Sequence, residues 1–435
     1  MHRLILIRLL NIIILISVIC VANSAPSTSV QYNLRDILKV AINNNPIIKS
    51  SMFSIDSAKG TELQASLPLN PNLVFEVADF AGNKDFSKFN GAEITASIQQ
   101  TIETGGKRGY RLDVASNNLS LVKQKAFTEI LAILYETEVA TIKYFVAEKR
   151  LNLINKRLQL INKTHYTIKR RVKAAAASDI QHTKIDIEHK SALIEKTNAQ
   201  KDLEIAKATL EKILSIEIAD LKLKNIFLKS IPSIPDQSTL LNIIKKMPQS
   251  QILYFQQKQA ESSLHLAKAN SIPNPTISIG ARKFNLSQSH AIVASISIPI
   301  PVFNRNQGQI IEANAALEIA KSNMISGEKS LEESIKTIWS QFKAAKSEAL
   351  IYNKHIISDS QKAYDQALDG YDMGRFSFLD LLDSQRTLYK MQELQLENLS
   401  QVYQYKAAVD YLMGTHLSLI ENTFAQQRVS YDSEK

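Results

Sequence analysis

A single cysteine, Cys20, stands among the 435 residues. That excludes a disulfide framework and any zinc site built on thiolates. Glycine is scarce, with 12 residues in the chain, where an ordinary composition of about 7% would give more than twice as many. The 11 prolines end at Pro301, and between Tyr110 and Ile231 there is neither glycine nor proline. Helix breakers this sparse predict long helices. Charge of one sign is also missing. The net charge is +10, but lysines and acids alternate along the chain without an arginine-rich block or a basic stretch interleaved with aromatics. A nucleic-acid partner is therefore not expected. No nucleophile elbow, HExxH or EF-hand pattern occurs, and Gly105-Gly106-Lys107-Arg108 lacks the full spacing of a phosphate loop. No catalytic constellation is present, and neither an enzyme activity nor a cofactor is expected.

What is there begins with an address. Residues 1–25 read as a secretory signal: His2, Arg3 and Arg8, an apolar run from Leu9 to Val21, then Ala22-Asn23-Ser24-Ala25. Pro26 favours cleavage after Ser24, and Ile19 opposes lipoprotein processing at Cys20.

The remainder carries an internal duplication. Asn45-Pro46 and Met247-Pro248 lie 202 residues apart, as do Gly106 and Gly308; Pro71 and Pro275 lie 204 apart, and Asp179 and Asp380 lie 201 apart. The expected division is a first repeat over 26–231, a proline-marked linker over 232–236, a second repeat over 237–425 and a tail over 426–435. Each repeat reads as a helix of about 30 residues, a proline-bounded turn, two strands and a long helical stretch. Alternation predicts the strands. Leu73, Phe75 and Val77 share one face of Asn72–Asp79, and Ile94, Ala96 and Ile98 one face of Glu93–Thr101. Ile277, Ile279 and Ala281 do the same in Thr276–Arg282, and Ile292, Ala294, Ile296 and Ile298 in Ala291–Pro299.

Such strands suit a transmembrane barrel with a wet interior or a soluble hairpin packed on a helix. Helix length favours the barrel. Folded in two, Tyr110–Ile231 gives helices of about 60 residues, or about 90 Å each. Apolar residues step by four and three in Leu151, Ile154, Leu158 and Ile161. They do so again in Leu331, Ile335, Ile338, Phe342, Ala345, Ala349, Tyr352 and Ile356, which is coiled-coil spacing. Four strands cannot close a barrel, because the smallest membrane barrels have about eight. An open edge cannot face lipid. Several chains must then share one barrel.

Ile298-Pro299-Ile300-Pro301-Val302-Phe303-Asn304-Arg305-Asn306-Gln307-Gly308 resembles the strand-to-helix junction of TolC-like outer membrane efflux proteins, and most of all their CzcC-like heavy-metal branch. Thr104-Gly105-Gly106-Lys107-Arg108 resembles the matching junction of the first half. The resemblance covers about residues 32–415. It implies a mixed α and β membrane protein, with a long α-helical coiled-coil barrel and four transmembrane β-strands per chain. A homotrimer then completes a 12-stranded β-barrel in outer membrane lipid of a Gram-negative cell. The implied partners are a periplasmic adaptor protein and an inner-membrane efflux pump.

It further implies a periplasmic gate at the helical tips. Asp380 and Asp383 match an acidic pore ring, Tyr371 a latch tyrosine, and Ser178-Asp179 its partner pair. Val172, Met373 and Gly374 match the adaptor contact. Lys173 and Ala174–Ala177 depart from the family pattern after Val172. The alternatives are a type I protein secretion or drug efflux duct, and a soluble periplasmic coiled-coil adaptor. His182 and His189, with Asp186 and Glu188 nearby, are read as a solvated helical face and not as metal ligands.

Overall fold

The structure is a computed structural model that describes residues 31–218, 222–223, 231–421 and 423. The expected signal segment and C-terminal tail lie outside the described residues. The elements in chain order are β1 (Gln31–Tyr32), α1 (Leu34–Asn44), α2 (Pro46–Ser66), β2 (Asn72–Ala78), β3 (Glu93–Thr101), α3 (Lys107–Lys173) and α4 (Asp179–Leu214). After these come β4 (Lys222–Leu223), α5 (Gln237–Ile244), α6 (Pro248–Ala269), β5 (Thr276–Phe284), β6 (Ser289–Ser297) and α7 (Gln307–Ile351). A π turn (Tyr352–Ile356), α8 (Ile357–Asp372) and α9 (Phe378–Leu412) complete the set. The order of two helices, two strands and a long helical hairpin thus runs twice.

The leading helix of each half is broken in two. Asn45 ends α1 and also caps α2, its side chain accepting from the Ile47 amide at 2.8 Å, and Pro46 takes the first helical position. Proline fits there because its missing N–H would be unpaired anyway. Pro248 likewise takes the first position of α6, where Met247 gives no side-chain cap. The expected single helix of about 30 residues overlooked this stop.

The glycine-free stretch also divides unevenly. α3 has 67 residues and α4 has 36, or about 100 Å and 54 Å at 1.5 Å per residue. α4 stops at Ser215, which adopts the left-handed conformation at φ 54°. In the second half the π turn interrupts the long helix. The buried or half-buried positions there are 352, 356, 357, 360 and 364, with steps of four on one side of the turn. That spacing drifts from a regular seam. One extra residue in the turn restores the phase, so that Tyr364, Ala367 and Tyr371 point back into the core.

α3 is the central element and packs against α2, α4, α6 and α9. One core cluster joins Ile37, Leu38, Ile42, Ile130, Leu134, Leu210 and Ile420. Among the described residues no helix is long and apolar enough to cross a membrane.

The four longer strands form one antiparallel sheet in the order β2-β3-β5-β6. The β3–β5 ladder joins the halves through nine residue pairs, from Glu93↔Phe284 to Thr101↔Thr276. The register sets Leu73, Ile98, Ile279 and Ala294 in one row, and Phe75, Ala96, Ala281 and Ile292 in the next. One sheet face is therefore apolar, and it is exposed: Phe75, Ile98, Ile279, Ile292 and Ile296 all face outward. The opposite face buries Thr95, Ser97 and Ser278, so the sheet curls around its polar side. On that side Arg282 donates to Glu93 at 2.7 Å and to Thr95 at 2.9 Å. β6 ends at Ser297, two residues short of the expected Pro299, which cannot donate to a ladder.

Gly280 sits at the tight point of the curl. A Cβ there would lie 2.4 Å from the Ala96 carbonyl oxygen. Gly280→Val should cost about 1–3 kcal/mol through overpacking, measured as a lower thermal midpoint and a smaller folded fraction recovered with membranes.

Candidate functional site

Two regions hold the residues singled out by sequence: the junctions where strands pass into long helices, and the tips of the two helical hairpins.

At the first junction Gly105 and Gly106 adopt left-handed conformations, φ 67° and 73°, and Gly106 caps α3. Arg108 is exposed, but Lys107 is buried. The Lys107 ammonium donates to the Ile272 carbonyl and to Oδ1 of Asn274, both in the turn before β5. Thr104 adds Oγ1 to the Pro273 carbonyl at 2.6 Å and its amide to Asn274 at 3.2 Å. Burial holds the Lys107 pKa below its ordinary value, opposed by the Glu103 charge. Beside it the Glu103 carboxylate takes two hydrogen bonds from Arg111, at 2.5 and 3.1 Å, which hold its pKa down. Arg111 also donates to the Ala65 and Leu67 carbonyls. The junction thus ties α2, α3 and the second half together, a role its glycine pattern did not disclose.

The second junction is built differently. Asn306, not Gly308, is the left-handed cap of α7, at φ 60°. Its side chain donates to the Ala267 carbonyl at 2.7 Å, and its amide donates to Asn304 at 2.9 Å. Gly106 therefore corresponds to Asn306, a separation of 200 residues, and Gly308 already lies inside the helix. Asparagine tolerates this conformation because its short polar side chain can bond locally. Pro299, Pro301, Phe303, Arg305 and Gly308 are exposed, Phe303 to 91% and Ile300 between the prolines to 82%.

The tips lie side by side. Ile168 of α3, Ile185 of α4, Tyr371 of α8 and Phe378, Leu381 and Leu382 of α9 share one buried cluster, with Val172 packed against it. The Tyr371 ring lies 6.0 Å from Phe378, and the Arg171 guanidinium stands 4.9 Å above it. Ser178 begins α4 without a side-chain cap, and Asp179 is exposed next to it. Ala175 closes the first tip in the left-handed conformation at φ 52°, where the second tip uses Gly374 at φ 73°. A Cβ in that conformation costs about 1–2 kcal/mol. Met373 is exposed beside Gly374.

Asp380 closes a capping box at the start of α9. Its carboxylate accepts from the Ser377 hydroxyl at 2.7 Å and amide at 2.9 Å, and its own amide donates to Ser377 Oγ at 3.2 Å. These bonds hold its pKa below the usual carboxylate value. Asp383, one turn on, is exposed and free of such a cap.

Glu188 is a correction. It is 8% exposed and not on a solvated face. It receives Arg386 of α9 at 2.8 Å and Arg157 of α3 at 3.4 Å, while Arg157 also pairs with Glu195 at 2.5 Å. The signal was in the sequence: Ile185, Glu188 and Ala192 fall on one buried stripe. A carboxylate in such a stripe requires a cationic partner.

A curled four-stranded sheet with an apolar outer face, set on helices of up to 67 residues, suits one chain's share of a membrane barrel continued by helices. Residues 250–415 match the outer membrane efflux protein family. The cobalt-zinc-cadmium resistance protein CzcC of Cupriavidus metallidurans is 24% identical over 385 residues, 88% of this chain and 90% of that protein. Outer membrane protein TolC of Salmonella enteritidis is 22% identical over 415 residues, 88% of this chain and 82% of that one. Among solved structures, CusC superposes with a TM-score of 0.76 at 13% identity, covering 88% of this chain and 92% of CusC. VceC of Vibrio cholerae does so at 0.74 and 17% identity, covering 88% and 96%. Over 88% of its length the chain is similar to TolC-like outer membrane efflux proteins, which are channels and not enzymes.

Ser377→Ala should cost about 1 kcal/mol at the start of α9, read as faster amide exchange from Phe378 to Asp383. The same protection should hold above about pH 4, the ordinary carboxylate value. It should disappear as pH falls through the lowered Asp380 pKa, because a depressed carboxyl stabilises only while ionised.

Proposed function

We propose that the channel is the exit duct of a tripartite efflux pump, of resistance-nodulation-division type, and that it carries heavy-metal cations. Three copies supply twelve strands and close the barrel, while the long helices form the conduit below it. The observation that carries the assembly is the sheet itself. β2 and β6 pair on one side only within the chain, and unpaired strand edges cannot stand in lipid. The cation cargo is supported by the similarity to CzcC, which spans nine-tenths of that protein.

The tips serve as the gate and as the docking surface for a periplasmic adaptor and pump. Ile180, Met373, Phe376 and Leu379 are apolar and exposed there, as a partner contact requires. Asp383 supplies the free charge of an acidic ring, and three copies would focus cations at a narrow opening. Asp380 contributes its charge while fixing the helix start. The latch assigned to Tyr371, Ser178 and Asp179 belongs to this reading, with Arg171 held over the tyrosine ring. A protein-secretion duct is the rival, and the match to a metal-resistance channel favours cations.

Native mass measurement of the outer membrane extract should give a trimer of the mature chain; a stable monomer would overturn the shared barrel. Deleting the gene should sensitise cells to divalent transition metals and raise their metal content. Equal sensitivity with and without it would sink the cargo assignment. In planar bilayers, Asp383→Asn should reduce cation selectivity and weaken block by trivalent cations, with Asp380→Asn having the smaller effect on block. Unchanged selectivity in both variants would remove the acidic ring.

A further inference from the structure

The strand-to-helix turns of the two halves differ in what covers them. The turn after β3 lies against the segment that leads into β5. The Ile102 amide donates to the Pro275 carbonyl at 2.8 Å, Thr104 Oγ1 donates to the Pro273 carbonyl at 2.6 Å, and the Lys107 ammonium donates to Asn274 Oδ1. Neighbouring antiparallel strands run in opposite directions, so the end of one stands beside the start of the next. β6 is an edge of the sheet, and its own turn has no such neighbour in the chain. Ile300, Val302 and Phe303 are left exposed there. β2 is the other edge, and Leu67-Pro68-Leu69-Asn70-Pro71 leads into it as Pro273-Asn274-Pro275 leads into β5. Leu67 and Leu69 are exposed. The Asn70 side chain has no hydrogen-bond partner among the described residues.

We propose that the turn after β6 grips a second copy of this chain: Ile300, Val302 and Phe303 pack on the neighbouring copy's Leu67 and Leu69, and Arg305 donates to the neighbouring copy's Asn70. The contact rests on the shared barrel proposed above, and it lies outside the strands that close that barrel. The neighbouring copy's β2 pairs with β6 in the antiparallel sense of every other pair in the sheet. Its start then stands beside the end of β6, which brings the two bare segments together. Asn70 precedes Pro71 as Asn274 precedes Pro275, so the boundary between copies repeats the boundary between halves. Arg305 is exposed, and its guanidinium has no partner among the described residues. It takes the donor's part that Lys107 plays in the first turn.

Lipid is the other cover that an apolar turn could have, and the level of the turn opposes it. Glu103 and Arg111 stand in and just after the turn that follows β3, at the same end of the sheet, and their ion pair is partly exposed. Charges at that level are costly beside hydrocarbon. The two turns also differ in reach. Gly106 stands seven residues after Gln99, which pairs with the first residue of β2. Asn306 stands nine residues after Ser297, which pairs with the first residue of β5. The second turn is thus the longer arm, and Pro299 and Pro301 fix two of its φ angles. An arm restrained in this way loses less freedom when it docks.

The test is thiol cross-linking, in isolated outer membranes, of the full chain carrying Phe303→Cys and Leu69→Cys together. The single native cysteine, Cys20, lies in the expected signal segment, and protein without added thiols controls for it. A short bis-maleimide should join chains into covalent pairs and triples in the double variant and in neither single variant. Ile300→Cys with Leu67→Cys is the second pair, used where the first fails to assemble. Native mass of the same extracts separates this contact from the barrel. A trimer whose added thiols never join overturns the grip and leaves the shared barrel standing. A monomer overturns both. Chains joined by Phe303→Cys alone would set the turns against one another, and that result overturns the grip too.

Discussion

A four-stranded antiparallel sheet satisfies the backbone groups of β3 and β5 on both sides and those of β2 and β6 on one. In water the outer groups would bond solvent; beside hydrocarbon they have nothing. The same strands present Phe75, Ile98, Ile279, Ile292 and Ile296 outward, a face that water disfavours. These two conditions are met together only where lipid covers the face and other strands cover the edges. Every larger feature follows from that placement. The polar face must curl inward around Arg282, Glu93 and Thr95. The chain must then leave the sheet at fixed angles into its helices.

The exits are where stability and geometry meet. Lys107 is a buried ammonium whose hydrogen bonds all go to the opposite half, and Arg111 fixes the end of α2 against the start of α3. At the far end, Glu188 draws Arg157 and Arg386 together, so the two hairpins are joined by charge as well as by the apolar cluster around Tyr371. The molecule is thus pinned at both ends of its long axis, with continuous helix between the pins.

Much of this was legible in the sequence. Alternation located all four strands within a few residues, because a sheet with one wet face and one dry face writes its period directly into the chain. Absence of glycine and proline located the long helices. What alternation and composition do not encode is how a helix ends. Asn45 doubles as the end of one helix and the cap of the next, and Ser215 stops α4 far short of the expected point. Asn306 takes a left-handed position in place of glycine and its side chain bonds the Ala267 carbonyl of α6, so Asn306 and not Gly308 is the counterpart of Gly106. The π turn is a phase correction that composition does not mark. At the tips, Glu188 gave a signal, as a lone carboxylate in an apolar stripe.

The two junctions have parted in character. In the first half the strand-to-helix turn is a fastener: glycines admit the bend, and Lys107 and Thr104 bond across to the other half. In the second half the same turn bonds within its own half, to Asn304 and to the Ala267 carbonyl of α6, and leaves Ile300, Val302 and Phe303 bare. After an internal duplication both copies begin with equal freedom to change. Once one copy holds the molecule together, its substitutions are filtered by folding, while the other can drift toward whatever surface it meets. Differences among relatives of this channel should therefore accumulate unevenly along the repeat, with the second turn recording adaptation to neighbours and the first recording almost none.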